Sequence, residues 1–362
     1  MLFAFLLGVK GLGDGFKLLS GDLLSAFFAS TENPFVGLVV GLLATTLVQS
    51  SSVTTSMIVG LVAAPENPLP LANAIPMVMG ANIGTTVTNT VVSLAHMGRR
   101  EEFRRAFAVA TCHDFFNYLT VLVLLPLELL TGYLRNTAVV LGSAFEGLGG
   151  FEYESPIKDL LSAVMAPVAQ LAAWLFRAQQ GQAVFLIVVS GLMIFTALLL
   201  LVKVMSSAVQ TRVEAFISGA LGSNAVLSIA IGATITIMVQ SSSITTSLLV
   251  PLAGAGLLSL ERAFPVTIGA NIGTTVTAFM AALAASGPYA TVGVEIAIVH
   301  LLFNLSGMLL VYPVRAVRQL PLVWARALAG AAVNSRKVAL IYVVALFYGL
   351  PVTLIVLSRW FL

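Results

Sequence analysis

The stretch Gly80–Thr88, Gly-Ala-Asn-Ile-Gly-Thr-Thr-Val-Thr, recurs unchanged at Gly269–Thr277. Other motifs recur with it. Gln49-Ser50-Ser51-Ser52 returns as Gln240-Ser241-Ser242-Ser243, and Thr54-Thr55-Ser56 returns as Thr245-Thr246-Ser247. His113 and Asn117, one helical turn apart, match His300 and Asn304, and Pro126 matches Pro313. The offsets are 191, 189 and 187 for the three groups in chain order. A duplication that keeps its order and nearly its spacing requires the chain to build one motif-bearing unit twice.

Those motifs sit in a very apolar chain, 59% hydrophobic and only 9% charged, against about 25% charged residues in a soluble protein. So little charge cannot cover a water-facing surface, so lipid is the solvent for much of it. Residues 106–130, 183–205, 293–313 and 338–360 read as full spans. Residues 36–63, 71–96, 225–258 and 265–285 are apolar but interrupted by the motifs, and 1–28 and 206–222 are partly amphipathic. At about 20 residues per span, this allows roughly eight to ten spanning or half-spanning segments. The apolar runs are too long for the alternation of a barrel. The expected fold is therefore an all-α polytopic membrane protein. Residues 1–130 form the first repeat, and 131–181 a more polar linker with an amphipathic helix near 158–177. Residues 182–313 form the second repeat, and 314–362 a basic segment with a final span.

Net charge, +3, is too small to point to nucleic acid. The single cysteine, Cys112, rules out an intrachain disulfide and reads as a small buried apolar residue. No basic n-region precedes the short apolar start from Met1 to Gly8, so no cleavable signal peptide is expected. Trp174, Trp324 and Trp360 read as interface anchors.

Charge placement sets the orientation of the two units. The loop before His113 carries Arg99, Arg100, Arg104 and Arg105, whereas its counterpart before His300 carries no charge. The stretch after the His113 helix holds Glu128, Glu146, Glu152, Glu154 and Asp159 against Arg135, Lys158 and Arg177. The stretch after the His300 helix holds Arg315, Arg318, Arg326, Arg336 and Lys337 without an acid. Basic loops prefer the cytoplasmic side, so the two repeats are expected to be inverted relative to each other. Secondary transporters use that plan, with the substrate at the repeat interface.

A run such as Gln49–Ser56 is costly in hydrocarbon unless it faces protein or water. It predicts a break, a re-entrant helical hairpin with its polar tip in a cavity. Gly80 and Gly84 around Asn82, and Gly269 and Gly273 around Asn271, suggest a second break in each repeat, with close helix packing as the competing role. Broken helices offer N–H groups to an anion at their N-termini. At their C-termini they offer carbonyls to a hard cation such as sodium, joined there by Ser, Thr and Asn oxygens. The motifs contain no Arg or Lys. An anion bound there must be neutralised by helix ends and co-bound cations. A divalent anion entering a cell at about −100 mV opposes about 4.6 kcal/mol, which two cations cancel. His113 with Asn117, and His300 with Asn304, share helix faces and are able to bond to the hairpins. Asp114, opposite Leu301 in the second repeat, reads as a cation ligand or a structural partner.

The duplicated Gln-Ser-Ser-Ser at 49–52 and 240–243, with the Thr-Thr-Ser after each, resembles the type II sodium–phosphate cotransporter family. So does the duplicated Gly-Ala-Asn-Ile-Gly-Thr-Thr at 80–86 and 269–275. The resemblance covers about 30–130 and 220–315. It implies sodium-coupled uptake of inorganic phosphate by alternating access in a multi-pass cell-membrane protein (the inner membrane of a bacterium) that acts as a homodimer. The resemblance also implies that the protein is not an enzyme and needs no cofactor beyond sodium as coupling ion. Phosphate and sodium would bind at Gln49, Ser50, Ser51, Ser52, Thr54, Thr55, Gln240, Ser241, Ser242, Ser243, Thr245 and Thr246. Sodium ligands would come from Gln49, Ser50, Ser51, Gln240, Ser241 and Ser242. Asn82, Thr85, Thr86, Asn271, Thr274, Thr275, His113, Asn117, His300, Asn304 and Asp114 would support the site. Animal members carry a large disulfide-bonded loop between the halves, which the short linker here lacks. Some bacterial relatives carry a soluble domain after the membrane part. With its end at Leu362, the chain is expected to be a transport core alone. Another small oxyanion or a carboxylate is the alternative cargo.

Overall fold

The computed structural model describes residues 2–18, 30–148, 156–194, 196–197, 200, 224–285, 288–351, 353 and 356. Among them every regular element is helical and no strand occurs. In chain order these are α1 (Leu2–Leu18), α2 (Pro34–Val48), α3 (Ser51–Val62), α4 (Leu71–Gly84) and α5 (Val87–Leu94). Then come α6 (Arg100–Thr131), α7 (Tyr133–Leu148), α8 (Pro156–Leu175) and α9 (Gln179–Ile194). The second half has α10 (Ala225–Val239), α11 (Ser242–Gly254), α12 (Leu260–Ala284), α13 (Ala290–Val311), α14 (Arg315–Asn334) and α15 (Arg336–Val344). A π-helical turn, Ala345–Gly349, continues α15. Helices α6, α12 and α13 are long and apolar enough to cross a membrane, and α2, α3, α10 and α11 are shorter apolar helices. The chain is a multi-pass helical membrane protein. The later part of the stretch 1–28, the amphipathic stretch expected at 206–222, the end of the span 183–205, the end of the span 338–360 and Trp360 lie outside the described residues.

The motif-bearing elements correspond pair by pair. Helices α2 and α10 start alike: Asn33 Oδ1 accepts from Phe35 N at 2.9 Å, and Asn224 Oδ1 from Val226 N at 2.9 Å. Such Asn caps satisfy N–H groups that a helix start otherwise leaves open. Helix α2 packs mainly on α4, and α10 on α12. The contact is so close that a Cβ on Gly80 would lie 1.9 Å from the Leu38 carbonyl oxygen, and one on Gly269 would lie 1.9 Å from that of Ile229. Small residues let helix backbones meet in this way where lipid removes the hydrophobic drive between helices.

This corrects the expected second break. Gly80, Gly269 and Gly273 lie inside helices and Gly84 is the last residue of α4, and all four serve close packing. In the second repeat α12 runs unbroken through Gly269–Thr277. In the first, the ladder is interrupted only at Thr85 and Thr86, between α4 and α5, and both residues keep right-handed helical dihedrals. The Thr85 and Thr86 hydroxyls bond back to the Ala81 and Ile83 carbonyls at 3.0 and 2.9 Å, the kind of side-chain competition that bends helices.

Three other boundaries move. Arg100, Arg104 and Arg105, expected in a loop, lie on the first turns of α6. Glu128, expected in the following loop, lies in the last turn of α6, where its carboxylate accepts from Leu134 N at 2.6 Å and caps α7. The stretch expected to be a linker with one helix holds two, α7 and α8, and α7 packs on α13.

The two halves interlock. Helix α3 packs on α12 and α13, while α11 packs on α5 and α6. Helix α7 covers α13, and α14 covers α6. Core residues such as Phe103, Phe107, Phe116, Phe264 and Phe303 are fully buried around this crossing.

Candidate functional site

Both Gln-Ser-Ser-Ser motifs break a helix in the same way. Gln49 ends α2 with φ 58 and ψ 26, and Gln240 ends α10 with φ 57 and ψ 27, both left-handed. Ser50 and Ser241 then return to extended backbone at φ −152 and −153 and cap the next helices. Their hydroxyls accept from Val53 N and Ile244 N, each at 3.3 Å. Among the described residues only Asn67 joins these glutamines as a non-glycine at positive φ. Left-handed backbone costs a side-chain residue about 1–2 kcal/mol that glycine avoids. Gln stands there twice, where glycine would be free of that cost. Such strain persists where surrounding contacts hold it, commonly at functional sites.

Those contacts are also duplicated. Gln49 Nε2 donates to the Thr46 carbonyl at 2.5 Å, and Thr88 Oγ1 donates to Gln49 Oε1 at 2.9 Å. Gln240 Nε2 donates to the Ile237 carbonyl at 2.6 Å, and Thr277 Oγ1 donates to Gln240 Oε1 at 3.1 Å. The last residue of each identical stretch thus fixes the carboxamide of its own turn. Each amide group keeps one N–H and one carbonyl lone pair for a ligand. The turns leave the N–H groups of Ser51, Ser52, Ser242 and Ser243 at open helix N-termini. Ser51, Ser52 and Ser242 are buried, whereas Gln49 is exposed and Ser50, Gln240, Ser241 and Ser243 are partly exposed.

The threonines behind the turns mostly bond back to them. Thr54 and Thr55 donate to the Ser50 and Ser51 carbonyls at 3.2 and 2.9 Å, and Thr245 and Thr246 to those of Ser241 and Ser242 at 3.2 and 2.8 Å. Thr274 and Thr275 likewise bond back along α12, to Ala270 and Ile272. Thr54, Thr55, Thr274 and Thr275 spend their protons on the helix and keep their oxygen lone pairs, whereas Thr245 Oγ1 also accepts from Thr236 Oγ1 at 2.9 Å and Thr246 Oγ1 meets Asn89.

The first turn and the helix behind the second meet the same short helix. Thr88 of α5 holds Gln49, and its neighbour Asn89 holds the second motif set. Asn89 Nδ2 lies 2.7 Å from Thr246 Oγ1, and Asn89 Oδ1 accepts from Ser247 Oγ at 3.0 Å. A polar network then crosses the halves. His113 Nε2 meets Asn271 Oδ1 at 2.7 Å, and Asn271 Nδ2 donates to Asn117 Oδ1 at 2.7 Å. Asn117 Nδ2 donates to the Asn82 carbonyl at 2.6 Å, and Asn304 Nδ2 to Asn82 Oδ1 at 3.2 Å. All five side chains are buried.

Two sequence-expected residues stand apart. The His300 ring is buried, and neither nitrogen has a partner among the described residues. Asp114 is fully buried, and its Oδ2 accepts from Tyr342 OH at 2.8 Å and Thr90 Oγ1 at 3.2 Å, while Oδ1 has no partner among the described residues. Sequence reasoning missed Thr88, Thr277, Asn89 and Tyr342. The first two end the identical stretch, which was the available signal. Asn89 corresponds to Ala278 in the second repeat and Tyr342 lies beyond both repeats, so the duplication marks neither.

The family described as Na+/Pi-cotransporter matches residues 4–151 and 192–350. Sodium-dependent phosphate transport protein 2A of Ovis aries is 36% identical, over 97% of this chain and 65% of its own length. Sodium-dependent phosphate transport protein 2B of Homo sapiens is 33% identical, over 99% of this chain and 64% of its own length. The chain thus spans a little under two thirds of these relatives. No solved structure matches it. Matched over both halves and over nearly all its length, the chain belongs to the Na+/Pi-cotransporter family.

Proposed function

We propose that the chain takes up inorganic phosphate with sodium by alternating access, binding both between its two Gln-Ser-Ser-Ser turns. One observation carries the reading. Adjacent residues of α5, Thr88 and Asn89, bond to Gln49 and to Thr246 with Ser247. Adjacent Cα atoms are about 3.8 Å apart, which supports reading the first turn and the helix behind the second as parts of one polar centre. The printed names of the relatives supply the cargo.

The chemistry follows from the turns. Helices α3 and α11 offer N–H groups to an oxyanion. The C-terminal carbonyls of α2 and α10 suit a hard cation. Gln49, Ser50, Ser51, Gln240, Ser241 and Ser242 supply neutral oxygens for sodium. The hydroxyls of Ser52 and Ser243 are read as donors to the anion. Thr54, Thr55, Thr245 and Thr246, whose protons go to backbone carbonyls, add neutral oxygens on the cation side, and Asp114 Oδ1 offers a further cation an anionic oxygen. Neither motif contains Arg or Lys, so sodium supplies the neutralising charge.

The two halves are read as inverted repeats with re-entrant tips. In support, Arg100 at the start of α6 donates to Asn334 Oδ1 at the end of α14 at 2.8 Å, which brings the two basic segments to one end. The protein is read as a homodimer in the cell membrane, with the inverted repeats at 1–130 and 182–313.

Labelled phosphate uptake into proteoliposomes tests the proposal. An inward sodium gradient is expected to drive accumulation that choline in place of sodium abolishes. Equal uptake in both salts would overturn the coupling.

A further inference from the structure

Helix α15 lies outside both repeats, yet it and the turn that continues it make a matched pair of polar contacts with α6. Tyr342 OH donates to Asp114 Oδ2 at 2.8 Å, and Tyr118 OH donates to the Leu346 carbonyl at 3.3 Å. Residues 114 and 118 are one turn apart on α6, as 342 and 346 are on the last helix, so each pair shares a face. The Tyr342 ring is held between Phe107 and Phe115, with centroids at 6.2 and 6.1 Å. Ring position and hydroxyl direction are thereby fixed together. The second repeat has leucine at both matching positions, Leu301 and Leu305. The device therefore exists once, and the terminal helix is what makes it single.

We infer that Tyr342 is a positioning residue for a cation site at Asp114, contributed by the terminal helix to the first repeat. The inference rests on the sodium-coupled reading above. A buried carboxylate without partners is costly. Here Tyr342 and Thr90 both bind Oδ2, which orients the group and leaves Oδ1 without a donor among the described residues. A carboxylate held by one oxygen presents the other in a fixed direction, which is what a small hard cation requires of its ligands. Tyr342 itself does not touch the ion: its role is to keep Asp114 in register.

The test measures the sodium dependence of phosphate uptake in proteoliposomes, normalised to folded protein. With Tyr342→Phe, which keeps the ring, the half-saturating sodium concentration is expected to rise about ten-fold, the factor carried by one hydrogen bond to a charged group. The half-saturating phosphate concentration at saturating sodium should stay within about two-fold. In an Asp114→Asn background, adding Tyr342→Phe should leave the sodium curve where it was, which loss of a merely structural tyrosine would not. Tyr118→Phe, which loosens the same helix without touching Asp114, should leave the curve unchanged. Thr90→Val removes the other donor to Oδ2 and should shift the curve in the same direction, whether or not Tyr342→Phe folds. An unchanged curve in Tyr342→Phe, an equal shift in Tyr118→Phe, or an unchanged curve in Thr90→Val would overturn the inference. Absence of sodium dependence in the unaltered protein would overturn the coupled reading instead.

Discussion

Replacing Gly80 by alanine places a methyl carbon 1.9 Å from the Leu38 carbonyl oxygen, 2.8 Å from its carbon and 2.8 Å from Leu42 N. Carbon and oxygen in ordinary contact stand roughly 3.5 Å apart, so the shortfall exceeds an ångström. All three obstructing atoms are backbone, so no rotamer relieves them. Gly41 closes the same interface from the other side, 1.9 Å from the Met77 carbonyl oxygen if given a Cβ. The one relief is for α2 to lift from α4 along its length. Overpacking by one methylene usually costs about 1–3 kcal/mol. Lifting a helix adds lost contact at buried Leu38, Leu42 and Ile83, which puts the cost at about 3 kcal/mol or more. That is a large fraction of the roughly 5–15 kcal/mol of an ordinary fold. Thermal unfolding of the purified protein in detergent should show a lower midpoint for Gly80→Ala, and a similar fall for Gly269→Ala. Gly330→Ala is the control: it has open space around it within α14 and should gain about 0.5–1 kcal/mol from helix propensity. A midpoint for Gly80→Ala equal to that of the unaltered protein would refute the close-packing role of these glycines.

Three further outcomes follow from single contacts. Thr88→Val or Thr277→Val removes the donor to a turn glutamine and should raise the half-saturating phosphate concentration about three- to ten-fold in uptake assays, with folding intact. His113→Ala leaves the buried Asn271 Oδ1 without its partner, whereas the His300 ring has none to lose among the described residues. His113→Ala should therefore be less stable than His300→Ala by about 1–3 kcal/mol in thermal unfolding. Arg105 donates to the Ala253 and Gly254 carbonyls at 2.7–3.2 Å and caps the end of α11. Arg105→Ala should speed amide exchange in the last turn of α11 by about ten-fold or more, read by hydrogen exchange.

The turn at Gln49–Ser50 was legible because a run of polar side chains cannot be absorbed by a lipid-facing helix. Its left-handed glutamine was not, since no sequence rule favours Gln at positive φ over Gly or Asn. The glycines of the Gly-Ala-Asn-Ile-Gly motif were ambiguous for a physical reason. A turn and a close helix contact both demand a missing Cβ, and only the Leu38 and Ile229 carbonyls beside Gly80 and Gly269 decide between them. The duplication marks His113, Asn117, Asn82, Asn271, Asn304 and His300 alike; the first five share four contacts that cross between halves or join the motifs, whereas His300 has no partner among the described residues. Asn89 and Tyr342 were not, because each breaks the internal symmetry that served as the guide. The boundaries of α6 shifted because Glu101 and Glu102 favour a helix N-terminus and extend it over the arginines.

A single site built from both copies of the Gln-Ser-Ser-Ser turn must respond to a change in either copy. The most direct measurement is thermal stabilisation of the purified protein by inorganic phosphate, with sodium or choline present, for the unaltered chain, Gln49→Ala and Gln240→Ala. A shared site predicts a phosphate-dependent rise in midpoint that requires sodium and is lost in each variant separately, although the unliganded variants remain folded. Full sodium-dependent stabilisation in either variant would contradict it.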